Sequence, residues 1–528
     1  MNKLIIFILL TFPLVLSAQF RTSKAFPDQY KKQNRDALRY VVDGKTDTII
    51  QYFNAYLAAY PEDLESHYGL VVAFTQKKKW KKAMMHVKKS VDLGLPIERF
   101  IAGPRNLLAS LTKKKIFKKY AKGKYTPLIH GPLLANFTDK SANIWVRTDE
   151  ERPLKLKIDD QSYLARTTKE KDYTGVLTAD NLKPNTTYHY ELSIENKALQ
   201  KGQFITFPKA GKAAKFQIGF GGGAGYTPQY ERMWDTLSTH SLTAFCLMGD
   251  NVYHDSPKYP DIQDYCYYRR QSRAEYRRFS SQTPIFAIWD DHDFGDNDSY
   301  GGTKINEPYW KLPVWKKFKN QWPNPYYGGG NKNPGTYYDF SIADVDFFMM
   351  DTRFYRTNGK DKIKPDTMLG NVQKQWLFDK LLNSTATFKV IGTSIPITPG
   401  TKTGRGGLDT WDGFNKDRED LFTFIETNNI EGVFFMAADR HRSDAWKTER
   451  KKGYALYEFM SSRLTNIHTH PVQKKSMFGY SKTPSFGLLE FDTSRADPQV
   501  VYRIFSIENE EIHRFTLYKS QLVFEKKN

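Results

Sequence analysis

The sequence predicts a multidomain chain of mixed architecture, with a helical segment first, a β-sandwich second and a large α/β layer last. Three observations carry this. At 528 residues the chain is too long for one ordinary core. Its hydrophobic period changes twice, from helical spacing to short alternating runs near residue 125, and to strands alternating with helices from 212 onward. Finally, the apolar strands of the last part end in acidic residues, which gathers carboxylates along one edge of a sheet.

The first residues, "MNKLIIFILLTFPLVLSAQF", hold one Lys and then an apolar stretch ending at Ser17 and Ala18. This predicts a cleaved secretory signal over 1–18, a mature chain starting near Gln19, and an exported protein, periplasmic or secreted. An uncleaved anchor is the alternative, but the run is short for a span of roughly 20 residues. No other stretch is apolar for long enough to cross a bilayer, so no transmembrane helix is expected after cleavage.

Residues 28–122 are helical in pattern. Tyr68, Val71, Val72, Ala83, Val87 and Val91 recur at helical spacing, and Gly94 and Pro96 close the segment. This resembles one helical pair of tetratricopeptide type, which cannot bury its own face and must stack on a neighbour. The runs "KKKWKK" at 77 and "KKKIFKK" at 113 read as solvated helix faces, with contact to an anionic partner as the alternative.

From 125 to 208 the runs "ANIWVRT", "LKLKI", "TYHYELSI" and "QFITF" alternate with a period of two, and a Pro-Asn turn precedes one of them. The pattern is that of an immunoglobulin- or fibronectin-like β-sandwich. It carries no cluster of chemical side chains, so it reads as a spacer or platform.

The formal net charge of +21 gives a surface that attracts anions, such as phosphorylated substrates or an anionic envelope surface. Nucleic acid is disfavoured, because no basic-aromatic reading module accompanies the charge. With only Cys246 and Cys266 present, neither a disulfide framework nor a zinc-cysteine cluster can carry the fold. Cys246 in "AFCLMGD" reads as a small buried apolar residue, and an exported context would also allow the two to pair.

The α/β layer runs from 212 to 525. Its strands "LTAFCLM", "PIFAIW", "VDFFMM" and "GVFFM" lead into "GDNVY", "DDHD", "DTRFYR" and "AADRH". Ligands of α/β sheets bind beyond the carboxyl ends of strands, so Asp250, Asp291, Asp351 and Asp439 are expected to converge there. The segment "DDHDFGDND" at 290–298 puts five Asp, one His and one Asn in nine positions. Ionised carboxylates so close repel one another unless a cation offsets them. Hard carboxylates with one or two imidazoles suit divalent and ferric ions, which makes a shared metal site the expectation. Taken singly each signal has a plainer meaning: Asp250 as a turn former, Tyr253 as core, Arg353 as an ion-pair partner.

In combination these segments resemble the alkaline phosphatase D family, the phosphodiesterase-like branch of the calcineurin-like metallophosphoesterases. "GDNVY" is similar to the family's Gly-Asp-x-x-Tyr, "WDDHDFGDND" to its Trp-Asp-Asp-His-acid segment, "MDTRFYR" to its Asp-x-Arg strand end and "ADRH" to its Gly-Asp-x-His. The resemblance covers roughly 125–520 and implies a metallophosphoesterase α/β sandwich preceded by the β-sandwich. It also implies an exported metal-dependent phosphoric ester hydrolase, in which two or more ions (calcium, iron, zinc or manganese) activate water as hydroxide for attack on a phosphate ester.

By position, Asp250 would bridge two metals, Tyr253 would bind one as phenolate, Asp291 and Asn297 would serve the second, and Asp439 and His441 would complete the set. His292 would meet the leaving oxygen, and Arg353 would stabilise charge on the phosphoryl group. A phosphodiesterase or phospholipase acting on larger esters is the alternative within enzymes, and a non-catalytic envelope-binding protein the alternative outside them. The family often carries a Cys after its first catalytic strand, whereas this chain has Gly221, Gly222 and Gly223, so iron held through a thiolate is not expected. Ala438 stands where the family has Gly before Asp439.

Overall fold

The computed structural model describes residues 30–358, 367–402 and 405–525, and the expected signal at 1–18 lies outside them. The described residues form two compact units, one within Met1–Ile129, Thr227–Gln229 and Lys258–Ser272, the other within His130–Tyr226, Tyr230–Pro257 and Arg273–Asn528.

The first unit is helical, with helices Tyr30–Val42, Thr46–Ala59, Leu64–Gln76, Trp80–Asp92, Glu98–Ala102, Arg105–Thr112, Lys115–Ala121 and Pro260–Gln271. Helix Leu64–Gln76 is its centre, because every residue from Glu65 to Thr75 is buried. The Asp63 carboxylate starts that helix by accepting from the Ser66 N–H at 2.8 Å, satisfying one of the orphan donors of its first turn. Inside, Arg99 pairs with Glu65 at 2.9 Å, and the Tyr265 hydroxyl donates to the same carboxylate at 2.7 Å. The lysines of both basic runs are exposed, as a solvated face requires; Lys77 reaches Asp47 at 2.6 Å and Lys114 lies over the Trp80 ring at 4.8 Å. Sequence pattern gives no hint that Lys258–Ser272, lying between two acidic motifs, belongs to this unit.

The second unit is built on strands β1 (Leu128–Ala135), β2 (Ala142–Thr148), β3 (Pro153–Ile158), β4 (Gln161–Arg166), β5 (Thr174–Ala179), β6 (Thr187–Ile194), β7 (Lys197–Ile205), β8 (Lys215–Gly221), β9 (Ala244–Met248) and β10 (Ile285–Ile288). It continues with β11 (Tyr338–Ile342), β12 (Val345–Met349), β13 (Phe388–Gly392), β14 (Val433–Ala437), β15 (Ser443–Thr448), β16 (Leu456–Met460), β17 (Phe478–Tyr480), β18 (Ser485–Asp492), β19 (Gln499–Ser506) and β20 (Glu511–Tyr518).

One sheet has the order β20-β19-β18-β8-β9-β10-β1-β2-β5, a second β11-β12-β13-β14-β16-β15-β17, and a third β4-β3-β6-β7. The strands expected between 125 and 208 are present, but they divide between two sheets. β1 pairs in parallel with β10 through Ala135 and Ile285, so the large sheet runs across the expected boundary at 208–212. The physical reason is that β1 is buried at every position and needs a neighbour on each edge.

Aromatic rings join the two large sheets face to face. Phe286 of β10 stacks on Phe340 of β11 at 3.9 Å, and Phe491 of β18 meets Phe347, Phe388 and Phe434 at 6.0, 6.0 and 6.3 Å. The strands β8, β9 and β10 are parallel in one sheet and β12, β13 and β14 in the other, and the residues that follow β10 and β12 meet, Trp289 with Asp351 and Asp290 with Arg353. Cys246 and Cys266 are both buried, and they do not form a disulfide with each other. Among the described residues no helix is long and apolar enough to cross a membrane.

Candidate metal centre

Each acidic motif lies where a strand stops. β9 runs into Gly249 and Asp250, and β10 into Trp289, Asp290 and Asp291. Gly249 has φ +101, and a Cβ there would stand 2.6 Å from the Asp290 Cβ, so only glycine lets these two strand ends approach so closely. Asp290 caps the short helix Asp291–Phe294 in a capping box with Asp293. Asp293 in turn accepts from the backbone N–H groups of Asn251 and Val252 at 2.9 and 3.1 Å, tying the "GDNVY" turn to the "DDHD" turn.

Two groups of side chains could each hold a cation. Ligand atoms of Asp250, Asp291 and His292 lie within 4.8 Å of one another, as do those of Asp291, Asp298 and Asp409. Asp291 is the residue the two groups share, where the resemblance implies Asp250. Asn297 is exposed and in neither group; its neighbour Asp298 donates its N–H to Asp291 at 2.7 Å and brings its own carboxylate. Asp409 comes from the 3₁₀ turn Arg405–Asp409, a glycine-rich stretch with no strand before it, and sequence reasoning missed it along with Asp298.

The other expected residues surround this pair. Tyr253 donates its hydroxyl to Asp250 at 2.7 Å, and burial pushes its pKa well up. Its ring stacks on His292 at 4.4 Å, and His292 Nδ1 pairs with Asp255, a partner that five-residue spacing from Asp250 alone did not reveal. Burial acts to lower the His292 pKa, but the carboxylates of Asp255, Asp291 and Asp250 together raise it well above the usual imidazole value.

Arg353 is fully buried and held on both sides: it bonds Asp290 at 2.5 Å and Asp409 at 3.0 and 3.2 Å. Burial pushes the Asp409 carboxyl up, and the guanidinium groups of Arg353 and Arg356 overcome this, holding it well below the usual range. Asp351 is spent on structure, accepting from Trp289 Nε1 at 2.7 Å and from backbone N–H groups of Thr336, Arg353 and Phe354. Asp439 accepts from Arg440 at 3.1 Å, and His441 lies two residues on; both stand outside the two groups. Ala438 is not among the positive-φ residues, so replacing Gly there strains nothing.

The residues fit cations on the evidence of their own unsatisfied atoms. Asp250 Oδ1, Asp290 Oδ2 and His441 Nδ1 are buried without a hydrogen-bond partner. Buried acceptors left empty are costly, and a hard cation satisfies them. Burial, with the Asp291, Asp290 and Asp293 carboxylates adding to it, pushes Asp250 well up, and burial takes Asp290 to about 7, the signature of negative charge short of a counter-ion. Asp250, Tyr253, Asp255, Asp298, Asp439 and His441 all have left-handed backbone torsions, between φ +41 and +65.

The family model for PhoD-like phosphatases matches residues 218–490, and a model described as a domain of unknown function (DUF7800) matches 125–210. The chain is 25% identical over 313 residues to alkaline phosphatase D of Bacillus subtilis (strain 168), an alignment covering 50% of this chain and 52% of that protein. The chain thus spans about half the length of this curated relative. A solved structure of PhoD superposes with a TM-score of 0.62 at 16% identity, covering 75% of this chain and 91% of that one. A purple acid phosphatase from seeds of yellow lupin (Lupinus luteus) superposes with a TM-score of 0.54 at 12% identity, covering 74% and 75%. These two likenesses bear on the fold.

Proposed function

Because this chain belongs to the PhoD-like phosphatase family, we propose that it is a metal-dependent hydrolase of phosphate esters. The observation that supports this best is the convergence of the Asp250, Asp291, Asp298 and Asp409 carboxylates about Asp291, with the His292 imidazole near enough to Asp250 and Asp291 to act as an acid beside the ions rather than as their ligand. Asp250, Asp291, Asp298 and Asp409 would hold the ions, with Tyr253, Asp439 and His441 beside them. When bound, such ions polarise phosphoryl oxygens and lower the pKa of water toward about 7.

The chain's own groups do the rest. Asp255 fixes His292 through Nδ1, leaving Nε2 to carry the proton that a departing alkoxide needs. The Asp255 carboxylate beside Nδ1 favours the protonated ring. Arg353 acts through Asp290 and Asp409, holding both carboxylates in place, rather than by reaching the phosphoryl group itself. The Asp293 staple keeps Asp250 and Asp291 at a fixed separation, so the site is ordered before substrate arrives.

The finer architecture belongs to the same reading: a signal over 1–18, a tetratricopeptide-like segment over 28–122, an immunoglobulin-like sandwich over 125–208 and a catalytic layer over 212–525, in an exported protein. Metal analysis of purified protein, paired with hydrolysis of one chromogenic monoester and one diester, tests the function. Close to two ions per chain and loss of hydrolysis on chelation are expected; full activity in excess chelator with no metal bound would sink the reading. Sequencing the mature amino terminus tests export, with Gln19 expected and an intact Met1 on cytoplasmic protein as the contrary result.

A further inference from the structure

The first strand of the α/β layer offers the site no side chain, since β8 ends in Gly221 and continues through Gly222 and Gly223. Nor is there room for one. A Cβ at Gly222 would stand 2.7 Å from the Ala438 Cβ, and one at Gly223 would stand 3.1 Å from the Ser462 hydroxyl and the Arg463 nitrogen.

Another segment fills that space. After β16 the backbone N–H groups of Arg463 and Leu464 both donate to the Gly222 carbonyl at 3.0 Å, and that of Thr465 donates to Gly223 at 3.3 Å. The Thr465 hydroxyl donates to the Gly225 carbonyl. Clamped on the glycine run, the chain continues as "NIHTH" over 466–470. Asn466 is fully buried and its Oδ1 accepts from the His468 N–H at 3.0 Å, and the Thr469 hydroxyl donates to the Ser481 carbonyl at 3.0 Å. The loop is therefore fastened before His468 and again between its two histidines.

Those histidines approach His441. The His470 ring centre lies 5.5 Å from that of His441 and the His468 ring centre 6.1 Å. His441 is only 8% exposed, and its Nδ1 has no hydrogen-bond partner. Two imidazoles beside a carboxylate, with one ring nitrogen buried and empty, make a nitrogen-rich donor set of the kind that zinc, manganese and iron accept. His470 is half-buried and nearer, whereas His468 is exposed.

We propose that His470 is a metal ligand, joining Asp439 and His441 at one edge of the centre in place of the side chain that the Gly221–Gly223 run lacks. This rests on the metal-dependent reading above. Asp439, His441 and His470 are not one of the groups whose ligand atoms already lie within 4.8 Å of one another, so the His470 side chain has to move to complete the set.

Zinc binding by equilibrium dialysis and the visible spectrum of the cobalt-substituted protein test it in wild type, His470→Ala, His470→Gln and His468→Ala. Both His470 variants are expected to lose one ion or to bind it about 100-fold more weakly, with a changed cobalt spectrum. The His468 variant should match wild type. All should melt together in excess chelator, since the substituted ring lies on a loop; if His470→Ala misfolds, His470→Gln, which keeps the volume, decides. Unchanged zinc affinity and cobalt spectrum in a folded His470 variant would overturn the ligand while leaving the metal centre standing, and so would a loss confined to His468→Ala. A wild-type protein that binds no metal would take down both readings.

Discussion

The two units each bury a guanidinium among carboxylates, yet with opposite outcomes. In the helical unit Glu65 accepts from Arg99 on both oxygens, at 3.3 and 2.9 Å, and from Tyr265, so neither oxygen is left over. In the α/β unit Arg353 lies against Asp290, Asp291 and Asp409, and a fourth carboxylate, Asp250, lies close by with Asp291. Oxygens of Asp250 and Asp290 remain without partners there. A carboxylate with both oxygens engaged closes on its partners and serves architecture. Acids in excess leave a deficit of positive charge that something from outside must supply.

The sharpest way to break this contrast is to remove one oxygen donor from each cluster. Asp291→Asn takes away the residue common to both cation groups, and hydrolysis should fall by about 10⁴-fold with loss of bound metal. The metal-free protein should melt no lower than wild type, because a repulsive charge has gone. His292→Ala should lower the rate by about 10²–10⁴-fold while keeping metal, less on nitrophenyl esters than on alkyl esters, since a good leaving group needs little protonation. Loss of metal in that variant, or equal slowing on both ester types, would make His292 a ligand. Glu65→Gln should do the reverse of Asp291→Asn: about 3–5 kcal/mol of stability lost, because the buried Arg99 loses the carboxylate it pairs with at 2.9 Å, and unchanged turnover per folded molecule. A loss of turnover with full stability would show that Glu65 is not simply architectural.

The smallest effect concerns pH. Without metal the Asp290 pKa lies near 7 and that of Asp250 is raised well above its usual value, so both bind protons that a cation must displace. Metal affinity should therefore rise with pH, by about tenfold per unit below pH 7 for the proton that Asp290 releases, with a further rise where Asp250 gives up its own. Isothermal titration at several pH values reads this directly, and a pH-independent affinity would contradict it.

The difference between the clusters was half visible in the sequence. Asp250, Asp291 and Asp439 follow short apolar runs of strand type, and a strand end is the one place where chain direction alone predicts convergence. Asp409 and Asp255 have no such marker, since they sit on turns whose positions depend on contacts made elsewhere. The resemblance implies Asn297, whereas the second group of side chains holds Asp298, and register along a loop cannot be counted as it can along a strand. The closed cluster was invisible for a related reason: Tyr265 reaches Glu65 from a segment 200 residues away that interrupts the acidic motifs. The helical and alternating periods did announce their elements, but not that β1 would lie beside β10.

The left-handed torsions at Asp250, Tyr253, Asp255, Asp298, Asp439 and His441 bear on how this chain can evolve. For a residue with a Cβ such torsions cost on the order of 1–2 kcal/mol each, somewhat less for Asp than for Tyr. A duplicate gene released from its task would be stabilised by glycine at any of these positions, and selection for folding alone would pull it that way. Erosion of the centre should therefore leave a recognisable trace in descendants: glycines appearing first at the tyrosine and histidine positions, while the fully bonded Asp293 and Asp351, which hold the fold, persist.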